Sequence, residues 1–452
     1  MGDPFAGTVI DVTDHGATGD DKTDDTDELL AAITASKEGD ALYFPPGTYR
    51  VSRPLIPNAR QVYIGDAATI KVVPDTAPFA VFEVNVDGVA FHRLTLDLSR
   101  RADDERADNA PAAISVRAPA DCSVELVVSS CQVRHGHGQG ILVAGGGSGR
   151  DRVVVRDTLV EDCGESGLTL NKVYGARVED SRFARCRNGI QVASSRDVIV
   201  RGVTVTKNRR HGIAISYSHE WHVENCVVRD NGGGETDRDK LRGWGIAAGG
   251  GRAGETPNSE FTITNNLCDG NYAGGITLDP TIGTDPTRIL AQRARISGNV
   301  CRGRKGGTDM GGDDPLGSHG IHVRNSRDVV VTDNLCHHNE KCGIAVVNSA
   351  HVLVQANACW DNKYGIGLFG HVNGDGGHVI GVNMLYDNDD RDLQQSTPTT
   401  LRGVRLYGLN GKLDEETRAN PGTLFESHEG DEGALYLKAH GSGAAGWVKV
   451  AG

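Results

Sequence analysis

A glycine followed by isoleucine or leucine returns at near-regular spacing through the middle of the chain, and this repeat constrains the fold more than any other feature. The instances are Gln139-Gly140-Ile141, Ser166-Gly167-Leu168, Asn188-Gly189-Ile190, His211-Gly212-Ile213, Trp244-Gly245-Ile246, Gly274-Gly275-Ile276, His319-Gly320-Ile321, Cys342-Gly343-Ile344 and Tyr364-Gly365-Ile366. The intervals between these glycines are 27, 22, 23, 33, 30, 45, 23 and 22 residues. The unit is therefore 22 or 23 residues, and the longer intervals hold insertions. A second apolar run lies within each unit, as at Val153-Val154-Val155, Val198-Ile199-Val200, Phe261-Thr262-Ile263 and Val329-Val330-Val331. Asn or Asp often follows, as at Asn225, Asn265 and Asn334. Three short strands with polar corners, repeated in this way, make one coil of a parallel β-helix, in which each coil buries its inward side chains against its neighbours. A leucine-rich repeat would need LxxLxL spacing, which is absent, and no helical period separates the strands.

The ends differ from the repeat, as capping segments should. Residues 24–35 carry Asp24, Asp25 and Thr26 before Leu29, Leu30 and Ile33. This pattern predicts a capped amphipathic helix sealing one end of the coil stack. Residues 395–452 lose the repeat, and Ala434–Lys438 and Gly446–Val450 flank a Gly/Ser turn as a hairpin would. The expected division is thus a strand and capping helix over 1–40, a β-helix over 41–394 and a small C-terminal β module over 395–452. The expected class is all-β, a single-stranded right-handed parallel β-helix.

Composition narrows the function. The 60 glycines and 3 methionines suit many short strands and tight turns rather than a helical core. A formal charge of -13 argues against nucleic acid as partner and mildly against a strongly polyanionic substrate. No apolar run of roughly 18 residues is present, so no membrane helix is expected. The first residues, Met1-Gly2-Asp3-Pro4-Phe5, lack the basic and apolar regions of a signal peptide. The expected location is extracellular or cell-surface with the leader not visible in this chain, or else cytoplasmic. Of the ten cysteines, Cys268, Cys301, Cys336 and Cys359 hold the same place in successive repeats. That placement predicts reduced core thiols rather than disulfides. No CxxC pair offers a structural zinc site, and no metal site is assigned.

The opening stretch Val9-Ile10-Asp11-Val12-Thr13-Asp14-His15-Gly16-Ala17-Thr18-Gly19-Asp20, with Thr23-Asp24-Asp25-Thr26, resembles that of pectate-lyase-superfamily proteins. The segment Leu42-Tyr43-Phe44-Pro45-Pro46-Gly47-Thr48-Tyr49 resembles their first coil. The same opening is similar to that of polygalacturonases, mannuronan C5-epimerases and phage tailspikes. The resemblance covers about residues 9–390 when the coils are included, and it implies the fold far more firmly than any chemistry. Ser318-His319-Gly320-Ile321 looks like the Gly-His-Gly turn of polygalacturonases, without that family's acids on the preceding coils. Leu278-Asp279-Pro280 looks like part of the Tyr-Gly-Phe-Asp-Pro-His motif of mannuronan epimerases, with Thr281 at its His and Ile276 at its Tyr. The C-terminal segment resembles terminal modules of tail-fibre and capsule-active β-helix proteins, which implies a homotrimer.

Strand alternation locates the expected site. If each Ile after Gly points inward, the second and fourth residues from that Gly form an outward stripe. It includes Thr169 and Asn171, Gln191, Ser216, Thr277 and Asp279, and His322 and Arg324. Adjacent strands lie about 4.8 Å apart, so Asp279 should neighbour Arg324 and His322 should lie beside Thr277. His211, Trp244 and His319 fall at the turn entering this face, and Tyr217 follows it. Insertions at 231–243, 249–260, 280–295 and 303–317 surround the same coils, as binding loops do on a rigid scaffold.

Two chemistries fit a glycan bound there. In hydrolysis or intramolecular glycosyl transfer (of fructotransferase type, for example), two carboxylates flank the bond. Asp279 is the first, and Asp313, Asp314, Asp309 or Asp237 supplies the second. In a lyase or C5-epimerase, a base removes the proton beside a uronate carboxylate that a cation neutralises. Arg324, His322, Lys240 and Arg242 are the residues for that task. Trp244, His211, Ser216, Tyr217, Gln191 and Asn171 are the expected substrate contacts. The paired-carboxylate reading stands first, and a non-catalytic glycan-binding spike is the contrasting reading. The bland alternatives are that Asp279 caps the turn before Pro280 or pairs with Arg324 on the surface, that His211 and His319 are turn residues, and that Trp244 packs a loop. The acids Asp309, Asp313 and Asp314 form either a solvated loop or a calcium site.

Overall fold

The computed structural model describes residues 7–74, 76–99, 110–233, 243–249, 256–279, 288–303, 319–371, 377–395, 405–407, 424–429, 432–438 and 447–451. The chain divides into two compact units, Met1–Asn208 and Arg209–Gly452. Each is a right-handed parallel β-helix. Among the described residues, no helix is long and apolar enough to cross a membrane.

In the first unit the helix Thr26–Ala35 buries Thr26, Leu29, Ala32 and Ile33. Leu30 is only half-buried. Asp25 stands at its N-terminus but does not cap it. Its carboxylate instead accepts from the Thr18 backbone N–H at 2.6 Å and the Gly19 N–H at 3.2 Å, tying the helix to the preceding loop. The coils follow as strands in strict parallel register. Ile141, Leu168 and Ile190 are aligned on one sheet, Val153, Ala176 and Val198 on a second, and Val133, Val160, Phe183 and Val205 on a third.

The second unit repeats the scheme. Ile213, Ile246 and Ile276 are in register, as are Ile276, Ile321, Ile344 and Ile366, and all are fully buried. Cys268, Cys301, Cys336 and Cys359 form a matching buried file of free thiols. Elsewhere in the core, burial pushes the Cys131 thiol up to about 11 and the Cys342 thiol well above its ordinary value, so these thiols stay protonated.

The recurring glycine has a steric cause. A Cβ on Gly320 would meet the Gly343 carbonyl oxygen at 2.5 Å and the Cys336 Cβ at 3.1 Å. One on Gly343 would meet the Gly365 oxygen at 2.8 Å and Cys359 at 2.9 Å. Glycine and cysteine therefore recur together because the coils touch where those two residues meet.

The corners are closed by buried amides. Asn225 and Asn265 take left-handed φ of 55° and 56° and make the bend. The residue after the bend points inward, so it is Asn266, not Asn265, that joins the file Asn266, Asn299, Asn334, Asn357 and Asn383. Each side-chain Nδ2 donates to the next Oδ1 at 2.9–3.0 Å. The same Oδ1 atoms accept the backbone N–H of the preceding coil. A second file runs through Asn339, Asn362 and Asn388. In the first unit shorter hydroxyls take this place, with the Thr158 N–H donating to Ser181 Oγ at 3.1 Å.

At the C-terminal end, Leu424–Glu429 pairs antiparallel with Glu432–Lys438, which pairs antiparallel with Trp447–Ala451. The expected hairpin is present, and Leu424–Glu429 extends it to three strands.

Asn334→Ala should lower the free energy of unfolding by at least about 2 kcal/mol, because it orphans several buried donors and acceptors at once. Denaturant unfolding with unchanged m-value checks this, and a shift under about 0.5 kcal/mol would contradict the ladder's role.

Candidate active site

The strands Ile141–Ala144, Ile190–Ala193 and Ile213–Ser216 alternate between buried and half-exposed residues, while Leu168–Asn171 buries its first three residues. Further along the second unit the strands Trp244–Ala248, Gly274–Thr277 and His319–Arg324 are buried on both faces. The stripe expected to be open is thus covered at Thr277, Asp279, His322 and Arg324, while Asn171, Gln191 and Ser216 stay half-exposed. The covered side chains form a water-poor polar cluster rather than an exposed patch.

Parallel register brings Thr277 beside His322 and aligns Gly274 with His319 and Trp244. Thr277 Oγ1 lies 3.2 Å from His322 Nδ1 and also accepts the Asp279 backbone N–H at 3.2 Å. Asp279 is fully buried. Its Oδ2 accepts from Asn325 Nδ2 at 2.8 Å and lies 3.5 Å from an Arg324 guanidinium nitrogen. Asp279 and Arg324 are neighbours as the strand spacing requires, but in the interior, where a carboxylate without its cation would cost several kcal/mol.

The rings stack in one column. Trp244 and His322 have centroids 5.7 Å apart at 12°, and His319 and His322 lie 5.0 Å apart at 18°. Gly274 makes room for this column. Its φ is +138°, and a Cβ there would come within 2.5 Å of the Trp244 ring and 2.3 Å of the His319 carbonyl. Trp244 also packs on Ala247 and Ala273. One of its faces is thus occupied by His322 and it is 1% exposed, so a sugar ring does not stack on it in this arrangement.

The two histidines differ in their surroundings. His319 Nδ1 accepts the Cys342 backbone N–H at 3.2 Å, which places the proton of the neutral ring on Nε2. Burial, reinforced by the neighbouring His319, Arg324 and Lys341, holds the His322 imidazole well below its ordinary 6.5. His322 is therefore neutral at neutral pH. Its Nε2 is buried and has no hydrogen-bond partner among the described residues. An orphaned polar atom in a protein interior carries a cost that ordinary core packing avoids.

The remaining expected contacts scatter. His211 is buried, while Ser216 and Tyr217 are half-buried at the end of their strand. Gln191 and Asn171 belong to the first unit, where the Gln191 side-chain oxygen accepts from Ser166 Oγ at 3.0 Å. Lys240, Arg242, Asp237, Asp309, Asp313 and Asp314 lie outside the described residues. Asn325 was not expected in the site. Its left-handed φ of 48° marks it as a corner residue, and a polar corner directly after Arg324 was the available signal.

A family model described as "Rhamnogalacturonase A/epimerase, pectate lyase-like" matches residues 9–236, half of the chain. A second, described as "Periplasmic copper-binding protein (NosD)", matches residues 281–389. Among the described residues, no group of three or more His, Cys, Asp or Glu is placed to hold a metal ion. The uncharacterized protein YclG of Bacillus subtilis is 24% identical over 400 residues, or 77% of this chain. The match spans 62% of that relative's length. Several solved structures share the fold. The mannuronan C-5 epimerase AlgE4 A-module of Azotobacter vinelandii superposes with a TM-score of 0.53 at 18% identity, covering 88% of this chain and 98% of that one. The catalytic unit of the GH87 alpha-1,3-glucanase of Streptomyces thermodiastaticus superposes at 0.62 and 17% identity, covering 87% and 69%.

The pH dependence of stability tests the buried neutral imidazole. The His322 pKa is lowered in the fold, so below 6.5 the unfolded chain takes up a proton that the fold refuses. The stabilisation present above 6.5 is lost as pH falls toward the native value, by up to about 1.4 kcal/mol per pH unit from this residue. His322→Gln should flatten that slope below pH 6.5 and leave the slope above it unchanged. Equal slopes in urea unfolding of both proteins would contradict the assignment.

Proposed function

The chain belongs to the rhamnogalacturonase A/epimerase, pectate-lyase-like family, and from that premise we propose that it is a carbohydrate-active enzyme abstracting the proton beside the carboxylate of a uronate glycan. The observation that carries this reading is the buried, neutral His322 with an unpartnered Nε2, adjoining an arginine. When Nδ1 carries the ring proton and donates it to Thr277 Oγ1, Nε2 presents a lone pair and is the general base. Thr277 Oγ1 has two lone pairs, so it accepts this bond and the Asp279 N–H together.

Arg324 supplies the cation that the developing carbanion needs. Proton loss from the carbon beside a carboxylate spreads negative charge onto the carboxylate oxygens, and a fixed guanidinium stabilises that charge best where water is scarce. Asp279 and Asn325 are positioning residues, since the Asp279 carboxylate spans both and anchors Arg324. The His319 Nε2–H is a second donor in the same ring column. If the glycosidic bond to the adjacent sugar then breaks, the reaction is β-elimination. If the proton returns from the other face, it is epimerisation.

The paired-carboxylate hydrolysis placed first by the sequence is less well supported. Among the described residues, Asp279 is the carboxylate of the cluster, and it is bound to Asn325 and Arg324 rather than poised for attack.

Purified protein incubated with neutral and uronic polysaccharides separates the readings. Unsaturated uronate ends, or a changed uronate configuration without chain shortening, are the expected products. His322→Gln should lower the rate by a factor of about 10²–10⁴. The acid limb of kcat/KM should fall below pH 6.5, since the base is already neutral there. New reducing ends without unsaturation would overturn the reading in favour of hydrolysis, and glycan binding with no product would favour a spike.

A further inference from the structure

The outer surface of the first unit carries a cleft of roughly 780 Å³ far in chemistry from the histidine column. Its floor is Val62, Ala90 and Val127, aligned in register on neighbouring coils and half-buried, with Ile64 and His92 beside them. Arg60 and Arg152 stand at one end of these strands, and Arg93 and Arg156 at the other. The cleft thus holds four guanidiniums and one carboxylate, Glu125, in a chain whose formal charge is -13.

The four arginines are not equivalent. Glu125 lies between Arg60 and Arg152, bonded to the first and 3.3 Å from the second, and its backbone N–H is held by Asp87. Arg60 crosses Gly88, where a Cβ would approach its Nε within 2.3 Å, so the glycine leaves the guanidinium lying in the cleft. Arg93 and Arg156 are exposed and have no carboxylate partner among the described residues. Ile64, His92, Ser129 and Arg156 occupy one register position on four successive coils, and Arg93 follows His92 directly. The two unpaired guanidiniums therefore bracket His92. Its imidazole is held below its ordinary value, first by burial and then by Arg156 and Arg93, so the positive potential falls inside the cleft.

We propose that this cleft is a non-catalytic binding site for an acidic oligosaccharide, with carboxylates on Arg93 and Arg156 and sugar faces on the apolar floor. Guanidinium forks match carboxylates two bonds at a time, which a single ammonium does not. A flat aliphatic floor suits the C–H faces of pyranose rings. Two guanidiniums without a carboxylate partner are too few for a nucleic-acid strand or an acidic membrane, whose binding scales with many cationic contacts. The site would retain a polymeric substrate on the enzyme. It stands on the first unit alone and does not rest on the reaction assigned to the second.

Hydrogen exchange of the whole protein, with and without a polygalacturonate oligosaccharide of ten sugars, locates the ligand. The proposal predicts protection of residues 88–93, 125–130 and 152–156. It also predicts at least a tenfold rise in apparent Kd, by titration calorimetry, in Arg93→Gln/Arg156→Gln. Both side chains are exposed and unpaired, so the double variant should keep the wild-type unfolding curve. Protection confined to 274–279 and 319–325 would overturn this site while leaving the reaction intact. Protection by a DNA duplex or acidic vesicles but not by the oligosaccharide would overturn the ligand class. Protection of the cleft in a protein that turns over no glycan would support the site and count against the reaction.

Discussion

Everything in this protein depends on coils approaching closely enough to share hydrogen bonds at their corners. The approach is limited by the smallest side chain at the contact, so glycine sits where one coil's carbonyl faces the next. At Gly275 an added Cβ would meet the Gly320 oxygen at 2.5 Å and Cys301 at 2.9 Å. Cysteine fills the space beside it because a thiol is small, apolar and tolerant of burial. The asparagine files then satisfy the backbone N–H groups that the bends leave unpaired. Because each Asn is bonded to the coil before and the coil after, register is locked. Register in turn sets which outward side chains meet.

That chain of dependence explains why so much was legible in advance. Once glycine spacing gives the register, strand alternation alone places Thr277 against His322 and Asp279 against Arg324, and both contacts are present. The cysteine file follows from the same spacing. The amide ladder was not foreseen: the sequence shows Asn or Asp after each apolar run, but a bend inserts a left-handed residue such as Asn265 before the inward Asn266. Sequence shows the polar corner but not which of two adjacent polar residues turns in.

The covering of the outward face was not legible. Alternation distinguishes inward from outward relative to a coil, and says nothing of what lies over the outward side. His322, Asp279 and Trp244 were therefore expected on a groove wall but are buried. The histidine–tryptophan column was hidden for a related reason. Trp244 and His319 share a register position and His322 lies on the same strand as His319, yet their stacking depends on Gly274 having no side chain. A glycine beside the repeat glycine reads in sequence as more of the same turn. The arginine cleft of the first unit was missed because its charges come from separate coils and follow no local motif.

Burial turns the cluster from a surface patch into an interior one that keeps His322 neutral. A neutral imidazole with a free nitrogen, an arginine held by a buried carboxylate and little water together suit proton transfer better than a pair of opposed acids. The most direct measurement uses a uronan deuterated at the carbon beside the carboxylate and follows the label into water. Proton abstraction by His322 predicts release of the label as product forms, and loss of that release in His322→Gln. Products that retain the label would contradict the account and return the chemistry to hydrolysis.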